Sequence, residues 1–514
     1  MATLPDDAPS EIPKLSASHE GEHHKDFGGD IQITRSTYLF ALCAALNSVN
    51  LGYDIGTSTS AGKLVQQDLA LTMSQREVFV GSLNLWAMFG ALGSNFVTDR
   101  YGRRKSFVVA AILFIIGSII QTMTGSYGLL MFGRVFVGLG VGFGLALDPI
   151  YIAEITPAKH RGELVTWSEI SLNIGLVLGF SMKLITSNWR LMFLAGVVIP
   201  LLMIFLALKV MPESPRWLVA NNQEETAKLI LQRIYPENFD VDAVVNDIKD
   251  ALQREQATEQ AVGWGVVLHP TPAFKRMLLV GVGLPIAQQI VGVEAIQYYL
   301  VDIIEDAGFD SSVKESLVLI LIGIFKAFFV VIGGKLFDRR GRKPLLLVSL
   351  SGVALSLLII ALAYVIDSKA SKGLVIVAII AYMTFFSIGI GPGAWLLASE
   401  VFATCIRAKA MSLATIGNRA AAFFMSSTFL SLANAMGWGT FFLFLMAICM
   451  MVIAFTYFFV PETKGRSLED MTVYFAELTG DKSVLEAEVK IHKAVEMVGR
   501  EEEPRPKPSS SEVL

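Results

Sequence analysis

Charged residues are scarce: Asp, Glu, Lys and Arg make up 17% of the 514 residues, against about 25% in an ordinary soluble chain. A soluble multidomain enzyme is disfavoured on that ground. Histidine and cysteine are scarcer still. Three of the six histidines fall in the polar first 24 residues, and Cys43, Cys405 and Cys449 stand far apart, each in or beside an apolar run. Neither a disulfide framework nor a metal-ligand spacing can be assembled from them. Basic charge is not in excess, the formal net charge being −4, so the footprint that nucleic acid requires is missing. No Asn-x-Ser/Thr acceptor occurs. No nucleophile–base pair and no cofactor loop stands out, so neither catalysis nor a cofactor is expected. The polar N-terminus lacks a basic stretch ahead of a short apolar one. No cleavable signal is expected, and the first apolar run directs insertion.

What the chain has is apolar length. Hydrophobic residues make up 53%, with 33 phenylalanines and a mean hydropathy of +0.55. A bilayer crossing takes about 20 consecutive apolar residues. Runs of that kind fall near 37–56, 78–98, 106–125, 129–151, 164–186 and 190–210, then near 277–303, 315–336, 345–366, 373–398, 410–434 and 439–460. A charged stretch at 221–259, with the composition of solvated helix, separates the two sets. The reading is an all-α membrane protein of twelve transmembrane helices in two halves of six. Its expected parts are a disordered tail over 1–35, a six-helix bundle over 36–210, a helical linker over 211–275, a second bundle over 276–460 and a tail over 461–514.

The loops Asp99–Lys105, Lys159–Arg161, Asp338–Lys343 and Arg407–Lys409 together carry twelve Lys or Arg. They follow even-numbered runs in both halves, which predicts that they, the linker and both termini are cytoplasmic. The halves also repeat. Asp99-Arg-Tyr-Gly-Arg-Arg returns as Asp338-Arg-Arg-Gly-Arg-Lys, Glu154 and Arg161 as Glu400 and Arg407, and Pro212-Glu213 as Pro461-Glu462, at offsets of 239, 246 and 249. Six runs per half make these parallel repeats, the geometry of alternating-access carriers.

Eight motifs in order resemble the sugar-porter branch of the major facilitator superfamily, over roughly residues 35–475. They are Gly52-Tyr-Asp-Ile-Gly56, Asp99-Arg-x-Gly-Arg-Arg104, Gly133-Arg134, Pro149-x-Tyr-x-x-Glu154 with Arg161-Gly162, and Pro212-Glu-Ser-Pro-Arg-Trp217. The second half adds Gln288-Gln289-x-x-Gly292 and Gly391-Pro-x-x-Trp395, closing on Pro461-Glu-Thr-Lys-Gly465. The resemblance implies the major facilitator fold with a midplane solute site. Glu169, Glu294, Lys326 and Arg419, the last after Asn418, stand where hexose carriers have other residues, and in this they are similar to polyol/monosaccharide–proton symporters. Thr57-Ser-Thr-Ser60 departs from the family pattern in the first span.

Charges inside the apolar runs carry the functional expectation, because an ionised group in hydrocarbon must find a partner or a task. Asp54 is expected to pair with Arg134, its partner by resemblance, as a proton switch. Protonation would release the arginine. The alternative is a static pair in a uniporter. Glu294 and Lys326 are expected to pair across the cavity and to bind solute hydroxyls, or else to bridge helices only. Glu169 offers a second isolated carboxylate, expected to accept solute hydroxyls or bind a proton, or else to bond to the backbone of a neighbouring helix. Gln288, Gln289 and Asn418 supply donors and acceptors for a polyhydroxylated solute, though neighbouring glutamines diverge by about 100° on a helix, which leaves room for one of the two to serve a neighbouring helix instead. Trp395 follows a natural helix break and offers a ring for the solute's C–H face. Tyr298 and Tyr299 read equally as outer gate or filler. Arg103, Glu154 and Arg161, with Arg342, Glu400 and Arg407, are expected to form a cytoplasmic latch that holds the outward-open state. Gly138-x-Gly-x-Gly-x-Gly144 lies inside an apolar run with no strand before it, so it reads as close helix packing and not as a dinucleotide loop.

The expected function is proton-coupled symport of polyols, cyclitols or monosaccharides by alternating access. A passive hexose facilitator and a non-transporting sugar sensor are the competing readings. The expected partners are a small polyhydroxylated solute, protons and the lipid bilayer, with no metal and no obligate oligomer, hence a monomer. The plasma membrane is favoured over an internal one.

Overall fold

The computed structural model describes residues 33–487 and 489, apart from 158–159, 237–238, 262, 309–310 and 367–368. The expected disordered tail over 1–35 and the end of the C-terminal tail lie almost wholly outside the described residues. Every apolar run becomes helix, since a backbone without water must bond to itself. The first half holds α1 (Arg35–Asp68), α2 (Met73–Tyr101), α3 (Arg103–Met123), α4 (Tyr127–Ile155), α5 (Arg161–Ile185) and the broken pair α6 (Trp189–Ala195) and α7 (Val198–Lys209). The connecting segment forms α8 (Pro215–Ala220), α9 (Glu224–Ile234), α10 (Val241–Ala261) and α11 (Gly265–Leu268). The second half opens with α12 (Pro272–Ile290), α13 (Val293–Tyr298) and α14 (Leu300–Asp306), followed by α15 (Ser312–Arg340) and α16 (Arg342–Ile366). It closes with α17 (Lys369–Ile388), α18 (Ile390–Val401), α19 (Arg407–Met436) and α20 (Trp438–Phe459), with α21 (Leu468–Thr479) beyond it.

Nine helical segments among the described residues are long and apolar enough to cross a membrane. Helices α1, α2 and α19, at 34, 29 and 30 residues, are as long but more polar. Their polarity is internal. Asn47, Asp54 and Ser58 of α1, Asn84 of α2, and Asn418 and Arg419 of α19 are all buried, while Phe96, Phe205, Phe328 and Met451 project outward, 58–70% exposed. Such an inside-out distribution of polarity is what a lipid solvent selects.

Close packing inside the first half follows from small residues. A Cβ at Gly52 would stand 1.8 Å from the Leu172 carbonyl oxygen, and one at Gly175 would stand 2.2 Å from that of Val49. Together with Gly56 and Gly179 these form two four-residue glycine steps that bring α1 and α5 backbone to backbone. The Gly138–Gly144 run packs in the same way, Gly142 against the Ala87 carbonyl and Gly140 against that of Ala110.

The internal repeat is structural as well as sequential. Gly102 and Gly341 turn the chain at φ +92° and +94°, a conformation open to glycine. Behind each turn a carboxylate caps the next helix. Glu213 Oε1 accepts from Arg103 N at 2.7 Å, and Glu462 Oε1 from Arg342 N at 2.9 Å. The linker belongs to the first half: Thr34 and Thr37 at the start of α1 donate to the carbonyls of Arg233 and Ile234, and α9 buries Ile230, Leu231 and Ile234 there. The halves meet chiefly through α2 with α19 and α5 with α15.

Candidate functional site

The N-terminal half carries a sealed ion pair. Arg134 Nη1 lies 2.8 and 3.0 Å from the two carboxylate oxygens of Asp54. The side chains are 0% and 4% exposed. Arg134 also donates to Ser58 Oγ at 3.0 Å and to the Phe79 carbonyl at 3.2 Å, and its guanidinium stacks 4.6 Å from the Phe79 ring centre. Most of the donors on this arginine are therefore used, and its position is set by α1 and α2 together.

A polar cluster lies at the seam between the halves. The helix of α12 stops at Val291, and Gly292, at φ +93°, redirects the chain into α13. That break presents Gln288, Gln289 and Glu294 to α19. Gln288 Nε2 donates to the Gly391 carbonyl at 2.6 Å, and its Oε1 accepts from Asn418 Nδ2 at 2.9 Å. Gln288 is thus held between helices. Gln289 Nε2 donates to Glu294 Oε1 at 3.2 Å, whereas Gln289 Oε1, Glu294 Oε2 and the Tyr298 hydroxyl are buried with no partner among the described residues.

The expected Glu294–Lys326 pair is not what forms. Arg419 Nη1 lies 3.1 Å from Glu294 Oε1, and Lys326 Nζ donates to Gln297 Oε1 at 2.8 Å. The break at Gly292 turns Glu294 toward α19, and the next turn of α13 presents Gln297 to α15. Arg419 further donates to Asn418 Oδ1 at 2.7 Å and, across the seam, to Asn84 Oδ1 at 2.9 Å. Glu169 on α5 is solvent-exposed although it sits mid-helix, and the charges that act on it are those of Lys326 and Arg419. Trp395 is half-buried on α18, whose first amide, Ile390 N, is satisfied by Ser349 Oγ at 3.0 Å. Tyr299 stacks on Phe429 and donates to the Ser426 carbonyl at 2.7 Å.

The latch is also corrected. Arg103 binds Glu154 through two bonds of 2.9 Å, and Arg342 Nη2 binds Glu400 at 2.9 Å. Each pair lies within one half. Thr463, not Arg407, is the second partner of Glu400. Arg407 donates to the Phe402 carbonyl at 3.3 Å, and Arg161 is exposed. Both pairs are formed while the opposite face of the molecule is closed. Burial pushes the Glu213 carboxyl above its ordinary value despite the N–H groups of Ser214, Arg104 and Arg103. At Glu462 burial acts the same way, but the N–H groups of Arg342, Lys464 and Lys343 outweigh it and hold that carboxyl lower.

The closed face is tied by charge. Arg76 Nη2 meets Asp302 at 2.5 Å and Lys183 meets Glu315 at 2.5 Å; Lys63 meets Glu305. Glu77 accepts from Ser431 N at 2.8 Å and from its hydroxyl. All four ties join the two halves. Sequence reasoning missed them, because each residue alone reads as a polar helix end. Asp148 was missed too, although an acidic residue alone in the 129–151 run was a visible signal.

Two repeated helical halves that meet along a polar seam, with broken helices beside buried charge, define a secondary transporter. The chain belongs to the sugar transporter family: the family model described as "Sugar (and other) transporter" matches residues 40–475. It is 34% identical over 498 residues to probable polyol transporter 4 of Arabidopsis thaliana, covering 95% of this chain and 94% of that one. To polyol transporter 5 of the same plant it is 34% identical over 469 residues, covering 86% and 87%. Among solved structures, the inward open conformation of the xylose transporter XylE from E. coli matches with a TM-score of 0.74 at 26% identity, over 85% of this chain and 99% of that one. The proton:xylose symporter XylE bound to 6-bromo-6-deoxy-D-glucose matches with a TM-score of 0.70 at 26% identity, over 85% and 99%. The protein is a multi-pass membrane transporter of the sugar family and not an enzyme.

Proposed function

We propose that the protein is a proton-coupled symporter of polyols, cyclitols or monosaccharides that works by rocking of its two halves. The observation that carries this reading is the sealed Asp54–Arg134 pair, which stands apart from the seam cluster. A carboxylate held only by a guanidinium and a serine hydroxyl exchanges an ion pair for a neutral acid when a proton arrives. Arg134 is then freed, and α1 and α4 can repack. The solute binds at the seam, where Gln289, Glu294, Tyr298, Glu169 and Lys326 replace the water that its hydroxyls give up. Gln288 and Asn418 shape that site from behind, and Trp395 offers its ring. The names of the relatives, polyol transporters and a proton:xylose symporter, support the same solute class. With the basic loops in the cytoplasm, both termini are cytoplasmic, the closed face is external and the state is inward-facing. A monomer in the plasma membrane completes the proposal.

The test is the current evoked by xylitol, myo-inositol or xylose in voltage-clamped cells, with labelled uptake measured alongside. Inward current is expected to grow as external pH falls. One proton moved through 100 mV is worth about 2.3 kcal/mol, roughly 50-fold accumulation of a neutral solute. Asp54→Asn should abolish accumulation and leave exchange of labelled for unlabelled solute. Uptake without current, unchanged by pH, would identify a passive facilitator instead.

A further inference from the structure

One buried acidic group has no place in that scheme. Asp148 of α4 is 1% exposed, and its partners are neutral. Asn47 Nδ2 donates to Oδ1 at 2.9 Å and Ser48 Oγ to Oδ2 at 2.5 Å. Asn50 Nδ2 donates in turn to Asn47 Oδ1 at 3.3 Å, while the buried Asn50 Oδ1 has no partner among the described residues. Asn47, Ser48, Asn50 and Leu145 line a small cavity of about 10 Å³, room for one water. Pro149 has no N–H to close the helical bond to the Leu145 carbonyl. Gly144 makes the arrangement possible, since a Cβ there would stand 2.2 Å from Asn47 Nδ2.

We propose that Asp148 is a proton-binding site of this chain, carrying one proton between the Asp54–Arg134 pair and the cytoplasm. The direction of travel rests on the proton-coupled reading above. A carboxylate without a counter-ion is costly in an apolar interior, and the groups around it suit a proton. The Ser48 hydroxyl donates to the carboxylate and can turn to accept from the carboxyl, while Asn47 donates to Oδ1 in either state. A metal ion would need oxygens aimed at it, and Asn47 presents its NH₂ group. On α1, Ser58, Asp54, Asn50 and Asn47 follow at intervals of four, four and three residues, one face of a helix. A proton handed by the cavity water to Ser48 Oγ, whose own hydroxyl proton passes to Asp148 Oδ2, forms the O–H bond on the carboxyl and leaves the serine a hydroxyl. The water, resupplied from the Asp54 side, is left unchanged.

The charges on elements packed against α4 are engaged elsewhere or exposed. Asp54 of α1 binds Arg134, and Arg103 of α3 binds Glu154. Arg104 of α3 donates to the carbonyls of Ala207 and Leu208, and Lys105 is exposed. On α2, Arg76 and Glu77 serve the closed face, while Asp99 and Arg100 are exposed. Arg161, Glu163 and Glu169 of α5 are exposed, and Arg216 of α8 binds Glu255. Tyr151 of α4 donates to the Pro212 carbonyl, and Cys43 of α1 is a buried free thiol.

The test reads the proton itself. Infrared difference spectra of the full-length protein in lipid, without solute and in sodium-free buffer, should contain a protonated-carboxyl band that titrates. Its loss in Asp148→Asn, with retention in Asp54→Asn, is the expected result. Ser48→Ala, which keeps the carboxyl should Asp148→Asn fail to fold, should displace the titration. A band unchanged in all three variants overturns the proposal, and so does a titration that shifts with added sodium, which would make the occupant a metal ion. Because no solute is present, a failed current measurement leaves this result standing, and a missing band beside intact proton currents removes Asp148 alone.

Discussion

Arg419 does three jobs with one side chain: it neutralises Glu294, fixes the amide of Asn418, and reaches Asn84 in the other half. Planar, five-donor geometry suits it to this, where a lysine would serve one partner at a time. Removing either member of the Arg419–Glu294 pair leaves a buried charge alone, at a cost of about 3–5 kcal/mol. Arg419→Gln and Glu294→Gln should each lower thermal stability in detergent and weaken solute binding, and the double variant should lose less than the sum of the singles. Additive losses would show that the two act independently. The sequence placed an ionisable group at each of these positions but not its partner. Glu294, Lys326 and Arg419 all read as isolated mid-span charges, and which cation reaches which anion depends on how α13 turns after Gly292.

At the scale of elements, helix ends do much of the work. The repeated Pro-Glu after the sixth and twelfth runs was legible as a repeat. Its task, capping α3 and α16, was not, because the capped amides are more than one hundred residues away in sequence. A similar cap ties the C-terminal segment to the second half: Asp481 accepts from Ala273 N at 3.1 Å, at the first turn of α12, and from Ser483 N at 2.9 Å. Burial pushes this carboxyl up, but those N–H groups and the hydroxyls of Thr271 and Ser483 prevail and bring it to about 2. Its depressed value means that the docking it supports is present above the ordinary 3.8 and is lost as pH falls from there toward about 2. Asp481→Asn should therefore increase proteolysis of the α21 region at neutral pH and remove its acid-dependent step. Identical digestion of variant and wild type at every pH would refute the cap.

For the molecule as a whole, if the two halves rock as proposed above, the ties on the closed face set the balance between the two open states. They are not equivalent. Arg76 and Asp302 are 3% and 11% exposed, Lys183 and Glu315 12% and 4%, but Lys63 and Glu305 36% and 26%. Exposed pairs contribute little and buried ones leave a stranded charge when broken. Asp302→Asn should hence shift the population toward the outward-open state more than Glu305→Gln does, each tenfold change corresponding to about 1.4 kcal/mol. Labelling of a Gln297→Cys site by an impermeant thiol reagent from the outer side reports that shift. Equal labelling in both variants would mean that the face is held by packing rather than by charge.

Sequence alone determined the helical class, the boundaries of the apolar runs, the repeat of the two halves and the family, because those depend on hydrophobic length and on local motifs that a chain carries wherever it folds. It also marked most of the charges that matter, since a charge inside an apolar run is conspicuous without coordinates. Only the tertiary structure decided who meets whom: Arg419 with Glu294, Lys326 with Gln297, Thr463 with Glu400, and the four ties between the halves. Those contacts join residues up to 354 positions apart. Their geometry follows from helix breaks at Gly292 and Gly389 and from the crossing of α1 on α5, and no local pattern in the sequence encodes how two packed helices are rotated against each other.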